Sequence, residues 1–189
     1  MPPSFPLPGV LGRMDALTKT YYDDYRGKTP PSVKGQITEK LVDAETAEIV
    51  RGWIKYSDEK LNAVLLGKMD DCMIDSKGRL VPIDNKTASP SNESLMEIYQ
   101  VQLDAYTYIL QKNGYKTADY GYLIYYVPVK GTPDKGIIFE ATVKKIELKP
   151  GRIAKLFADA VELVRKATPP KMHKDCECPM CKWMEGEEG

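Results

Sequence analysis

The sequence predicts an α/β fold in which a mixed central β-sheet is flanked by α-helices. Segments with a helical apolar period and segments that read as strands follow one another along the 189 residues, as in layered α/β domains. The first strand pairing is a hairpin, so the sheet is mixed rather than wholly parallel. A composition of 42% hydrophobic and 29% charged residues is that of a soluble globular chain and argues against disorder.

The elements follow in order. The first nine residues hold four prolines and read as an extended arm. Val10, Met14, Leu17 and Tyr21 recur at helical spacing, predicting a helix from Val10 to Tyr25 that Lys28–Ser32 breaks. A second helix is predicted from Gln36 to Tyr56, burying Ile37, Leu41, Ala44, Ile49 and Trp53. Ala63 to Asp70 and Arg79 to Lys86 read as the two strands of a hairpin, with Gly78 in its turn. Ala88 to Asn92 is a loop rich in residues that cap helices, and a helix from Glu93 to Lys112 ends at Asn113-Gly114. Tyr120 to Val127 and Gly136 to Val143 are strand-like, joined by a loop from Pro128 to Lys135. A last amphipathic helix follows Lys149-Pro150-Gly151, with Ile153, Leu156, Phe157, Ala160 and Val164 as its apolar stripe, and Pro169-Pro170 ends it. Three parts result: an arm and helix over 1–34, a core over 35–168 and a cysteine-bearing tail over 169–189.

Lys plus Arg and Asp plus Glu both number 27, giving zero net charge. That excludes a strongly basic nucleic-acid coat but not a local basic groove. No apolar run approaches the ~18 residues of a membrane span, and the N-terminal residues lack the pattern of a signal peptide. A cytoplasmic protein without a membrane partner is expected.

The chemistry concentrates in two places. In the predicted hairpin, Asp70 and Asp84 lie near adjacent strand ends. Two carboxylates so placed repel unless a cation sits between them, and oxygen ligands suit Mg²⁺ or Mn²⁺. Lys86 lies two residues from Asp84 and so on the same strand face, where an ammonium can stabilise charge developing on a phosphate. A surface hairpin with solvated acids is the plain alternative, but Asp84 and Lys86 interrupt an otherwise apolar strand. In the tail, His173, Cys176, Cys178 and Cys181 combine imidazole and thiolate donors that suit Zn²⁺. An unligated reduced tail is the alternative there. Cys72 reads as a buried small hydrophobe. Twelve tyrosines against three phenylalanines provide rings that stack on bases or fill half-buried strand positions.

Gly67-x-x-Asp70, then Ile83-Asp84-Asn85-Lys86-Thr87, then Gln102-x-x-x-Tyr106 resembles the PD-(D/E)XK nuclease superfamily. Within it the chain resembles RecB-type nuclease domains and the CRISPR-associated iron–sulfur exonucleases. Asp70 and Asp84 stand 14 residues apart and Asp84 and Gln102 stand 18 apart, and three motifs in this order are far more specific than one. The resemblance implies a restriction-endonuclease-like core. It implies that Asp70, Asp84 and the backbone carbonyl of Asn85 bind Mg²⁺ or Mn²⁺, with Lys86 acting on the attacking water or the phosphate. Gln102 and Tyr106 share a helix face, which in the family looks onto the active site. Gly35-x-x-x-Glu39 fits the spacing of the family's Gly-x-x-x-His motif, which would make Glu39 a further ligand; Glu45 and Glu48 are rivals. Asp71 points to the opposite sheet face and is left out. For the tail, the resemblance implies an iron–sulfur cluster as the alternative to zinc, although no cysteine precedes Cys72.

The implied function is metal-dependent hydrolysis of DNA, as single strands or duplex ends, with exonuclease action the expected mode. DNA repair, recombination or mobile-element processing is the expected setting, with a helicase or recombination partner, since no ATP-binding motif is present. The alternative is a non-cleaving nucleic-acid-binding or adaptor module of a larger complex.

Overall fold

The structure is a computed structural model and describes residues 9–87, 96–168 and 181. Helix α1 (Gly9–Asp23) leads through a single 3₁₀ turn (Pro31–Val33) to β1 (Lys40–Leu41), α2 (Ala44–Arg51), β2 (Ile54–Asp58), β3 (Ala63–Gly67), β4 (Asp71–Ile74) and β5 (Leu80–Lys86). Then come α3 (Met96–Lys112), β6 (Tyr120–Thr132), β7 (Gly136–Glu147) and α4 (Gly151–Val164). Five strands form the main sheet in the order β1-β4-β5-β6-β7. The β4–β5 and β6–β7 pairs are antiparallel hairpins, while β5 and β6 run parallel across the α3 crossover. The sheet is therefore mixed. A separate two-stranded ribbon, β2–β3, packs against α3.

Both faces of the sheet are covered. Leu123 and Tyr125 of β6 point to one core, shared with Cys72, Leu80, Val50 of α2 and Leu103, Tyr106 and Ile109 of α3. Tyr122, Ile124 and Tyr126 point to the other, with Met73, Val81, Ile83, Val33 and Tyr22 of α1. This two-sided burial explains why β6 reads as a nearly unbroken apolar run. Helix α4 lies on α3, where Asp104, fully buried, accepts from the Lys149 N–H at 2.7 Å and pairs with Arg152 at 2.6 Å.

The structure departs from the predicted elements in four places. The helix expected from Gln36 to Tyr56 is instead β1, the short α2 and β2. Asp43 caps α2 by accepting from the Thr46 N–H at 2.8 Å, and Gly52 ends it, so only eight residues are helical. Its buried residues are Ala47 and Val50, and Ile49 and Trp53 face solvent. The segment from Ala63 to Asp70 is not the partner of β5: β3 ends at Gly67 and pairs with β2, and the hairpin partner is β4. The turn itself is as expected, with Gly78 at φ +70°. The loop expected over 128–135 is mostly strand, because β6 and β7 continue their ladder through a bulge at Pro128–Lys130 to Thr132 and Gly136. Finally, α4 buries Ile153, Phe157 and Val161, a stripe with strict i, i+4 spacing that leaves Leu156 and Val164 exposed. The expected loop at 88–92 and the start of the following helix lie outside the described residues, as does most of the proline-rich arm.

Candidate active site

The site forms where β4 begins and β5 ends. Asp71 pairs with Ile83, and one step further along the same register sets Asp70 beside Asp84. The chain reaches Asp70 from the β2–β3 ribbon through Gly67-Lys68-Met69. Gly67 leaves room there for the Tyr106 ring, because a Cβ on it would lie 3.0 Å from Tyr106 Cδ1.

Lys86 follows Asp84 by two residues on the same strand face, and its ammonium pairs with Asp84 Oδ2. It also donates to Gln102 Oε1 at 3.3 Å and sits 4.1 Å from the centre of the Tyr99 ring. Gln102 Nε2 donates to the Tyr106 hydroxyl at 2.8 Å, and that hydroxyl donates to the Lys68 carbonyl at 2.8 Å. One hydrogen-bonded chain thus runs from the backbone before Asp70, along α3, to the Lys86 ammonium. Asn85 points to the other face. Its N–H donates to Asp70 Oδ2 at 2.7 Å, and its side-chain oxygen accepts from the Tyr22 hydroxyl at 2.9 Å, which lies 2.9 Å from that of Tyr126.

Electrostatics set the two carboxylates apart from ordinary surface acids. Burial, followed by repulsion from Asp84, pushes the Asp70 carboxyl up to about 6 against the pull of the Asn85 N–H. Burial also raises Asp84, opposed by Lys86. Asp84 Oδ2 is buried, and the Lys86 ammonium is its partner and offsets its charge. Burial pushes the Tyr106 hydroxyl up to about 12, which keeps it a neutral donor.

These residues fit a hard divalent cation: two neighbouring, largely buried carboxylates carry more negative charge than the one Lys86 ammonium offsets. Among the described residues no group of three or more His, Cys, Asp or Glu side chains gathers to hold a metal. A site with only two carboxylates suits a cation such as Mg²⁺ that retains waters.

The cleft over these groups has a volume of about 350 Å³. Its far wall is α1, through Leu11, Met14, Asp15 and Thr18. Sequence reading missed this wall. Asp15, Thr18 and Tyr22 recur at three and four residues and share a face, but the apolar stripe through Met14, Leu17 and Tyr21 drew attention first. Asp15 pairs with Lys19 at 2.7 Å.

Asp70, Asp84, Asn85, Lys86, Gln102 and Tyr106 are thus brought together. Glu39 is not. It lies toward the opposite end of the hairpin, in a recess with Asp75, Lys77 and Arg79. There it accepts from the Tyr120 hydroxyl at 2.5 Å and the Tyr122 hydroxyl at 3.0 Å. Its carboxylate is satisfied by these tyrosines, and the structure does not bring it together with Asp70 and Asp84. Glu45 lies in the first turn of α2 and is exposed, as is Glu48. Asp71 points away from Asp70, as expected, and pairs with Arg26 and Arg51. Cys72 is fully buried, and burial pushes its thiol up, so it is an inert core residue. His173, Cys176 and Cys178 lie outside the described residues, and Cys181 is half-buried.

No helix among the described residues is long and apolar enough to cross a membrane. No curated protein and no solved structure matches the chain. A model of the PD-(D/E)XK nuclease superfamily matches residues 14–185. The five-stranded mixed sheet with helices on both faces agrees with the restriction-endonuclease-like core of that superfamily. With the match running over nearly the whole length, from the helix that walls the cleft to the cysteine tail, the chain belongs to the PD-(D/E)XK nuclease superfamily.

Proposed function

We propose that this chain is a metal-dependent deoxyribonuclease of the RecB-type branch that hydrolyses phosphodiester bonds from DNA ends. The observation that carries the reading is the convergence of Asp70, Asp84 and Lys86 at one cleft, with Lys86 held by Gln102 of α3. Asp70, Asp84 and the backbone carbonyl of Asn85 would hold Mg²⁺ or Mn²⁺. When bound, such an ion supplies Lewis-acid polarisation of the phosphate and a nucleophilic water at neutral pH.

The chain's own residues do the rest. The Lys86 ammonium provides a fixed positive charge where negative charge develops as a water oxygen bonds to phosphorus and the ester P–O bond breaks. Gln102 and Tyr106, tied to the Lys68 carbonyl, keep that ammonium from swinging into solvent. Tyr22 orients Asn85, whose N–H in turn fixes Asp70. A second metal centre at His173, Cys176, Cys178 and Cys181, holding zinc or an iron–sulfur cluster, belongs to the same proposal and is tested by metal analysis of the purified protein.

The test is cleavage of end-labelled single- and double-stranded DNA with Mg²⁺, Mn²⁺ or EDTA, alongside Asp84→Ala and Lys86→Ala. Metal-dependent cutting that both variants lose supports the reading, and the product ladder reports whether degradation starts at ends. Folded wild-type protein that cuts no substrate overturns it in favour of a non-cleaving adaptor.

A further inference from the structure

We propose that the outer face of the β2–β3 ribbon, centred on Trp53 and Lys68, is a binding subsite for an unpaired nucleic-acid strand leading to the cleft. The inference rests on the nuclease reading above. The ribbon has two faces. Ile54, Tyr56, Leu65 and Gly67 turn toward α3 and are buried or half-buried. The opposite face carries Lys55, Ser57, Val64 and Leu66, all exposed, in the pairs Lys55–Leu66 and Ser57–Val64.

Beyond the last ribbon pair, Ile54–Gly67, the next position on each strand is Trp53 or Lys68. Trp53 is 70% exposed, although indole is among the side chains that gain most from burial. The Lys68 ammonium lies 6.0 Å from the centre of its ring. Val64 and Leu66 are each more than half exposed beside them.

Charge identifies the occupant. The outward positions of the ribbon hold Lys55 and Lys68 and no acid, and Asp58 turns to the inner face to bond Tyr56 and the Leu61 N–H. Lys55 and Lys68 form no ion pair among the described residues. A flat aromatic ring and small apolar side chains interleaved with unneutralised ammonium groups match a strand whose bases stack while its phosphates meet lysine. Position identifies the purpose. Lys68 is two residues before Asp70, and its carbonyl receives the Tyr106 hydroxyl of the active-site chain. A strand stacked on Trp53 is delivered along the segment that carries the first carboxylate.

The sequence makes the test direct, because Trp53 and Trp183 are its only tryptophans. Full-length protein carrying Trp183→Phe and Asp84→Asn reports Trp53 fluorescence without cutting. Titration with oligothymidylate, and with an abasic oligomer of equal length, is read as quenching. The same oligomers are followed by fluorescence anisotropy for Trp53→Ala and Trp53→Phe, on the Asp84→Asn background. The expected result is quenching by oligothymidylate, a loss of affinity of about tenfold or more in Trp53→Ala, retention of most of it in Trp53→Phe, and weak binding of the abasic oligomer. Unquenched fluorescence, or equal affinity in Trp53→Ala, overturns the inference, and the face is then a protein-docking surface. Because DNA cutting by the wild type is measured separately, an enzyme that cuts but whose Trp53→Ala variant binds normally refutes the subsite and leaves the nuclease reading standing.

Discussion

Arg26 grips both carboxylate oxygens of Asp71, at 2.8 and 2.7 Å, one residue away from Asp70. Asp71 is fully buried, and Arg51 adds contacts of 3.0 and 2.6 Å to the same carboxylate. Both guanidinium groups also reach Asp23, and Arg51 donates to the Lys19 carbonyl. This cluster fastens the end of α1, and with it the cleft wall, to α2 and β4. Removing one partner of a buried pair strands the other charges. Asp71→Ala is therefore expected to lose about 3–5 kcal/mol of unfolding free energy, measured by urea denaturation followed by far-UV circular dichroism. A loss under about 1 kcal/mol, the range of surface pairs, would mean the cluster does not hold the helix.

The paired acids make a binding prediction that needs no turnover. A cation that binds the folded site and not the unfolded chain stabilises by mass action, about 2.7 kcal/mol at a hundredfold excess over its Kd. Millimolar Mn²⁺ or Mg²⁺ is expected to raise the melting temperature of the wild type and to leave that of Asp84→Asn nearly unchanged. Equal shifts in both proteins would place the bound ion elsewhere.

Gly67 offers a purely steric test. An added methyl group meets Tyr106 Cδ1 at 3.0 Å and Ile109 Cδ1 at 3.2 Å. Overpacking of this kind costs about 1–3 kcal/mol, and the ring that must yield carries the hydroxyl between Gln102 and Lys68. Gly67→Ala is expected to lower kcat more than it lowers stability at the assay temperature. A variant that is destabilised yet fully active would show that Tyr106 does not position Lys86.

Glu39 supplies a pH prediction. Burial favours its neutral form, but hydrogen bonds from Tyr120, its own backbone, Tyr122 and Thr38 outweigh burial and hold the carboxyl below the usual glutamate range. A carboxylate depressed on folding contributes stability that is present above its unfolded pKa, about 4.3, and is lost as pH falls through the folded value. Glu39→Gln is expected to be less stable than wild type at pH 7, with the gap closing below about pH 4. A gap independent of pH would show that shape rather than charge is what Tyr120 and Tyr122 require.

What the sequence disclosed, and what it hid, divides along range. Asp84 and Lys86 were legible because charges at alternate positions in an apolar strand have few structural reasons to be there. The 75–79 turn was legible because Gly78 announces a positive φ. The segment from Gln36 to Tyr56 misled because its apolar spacing suits a helix, while its conformation is decided by partners far away. Leu41 pairs with Met73 and Ile54 with Gly67. The position of Glu39 was hidden for the same reason, since its tyrosine partners lie 81 and 83 residues away. Asp15 carries no local signature of a cleft wall, and Trp53 reads as buried in the expected helix but is exposed, because the outer face of a ribbon has no local signature either.

The side chain of Gln36 has a consequence for self-association. Its amide nitrogen donates to the Ala141 carbonyl at 2.9 Å, and its amide oxygen accepts from the Val143 N–H at 3.0 Å. β7 is an edge strand, the part of a sheet most open to recruiting a foreign strand. One primary amide occupies the donor and acceptor that an incoming strand would need at its centre. A single uncharged residue in a loop thus occupies part of the edge that edge-to-edge pairing of two such sheets would use.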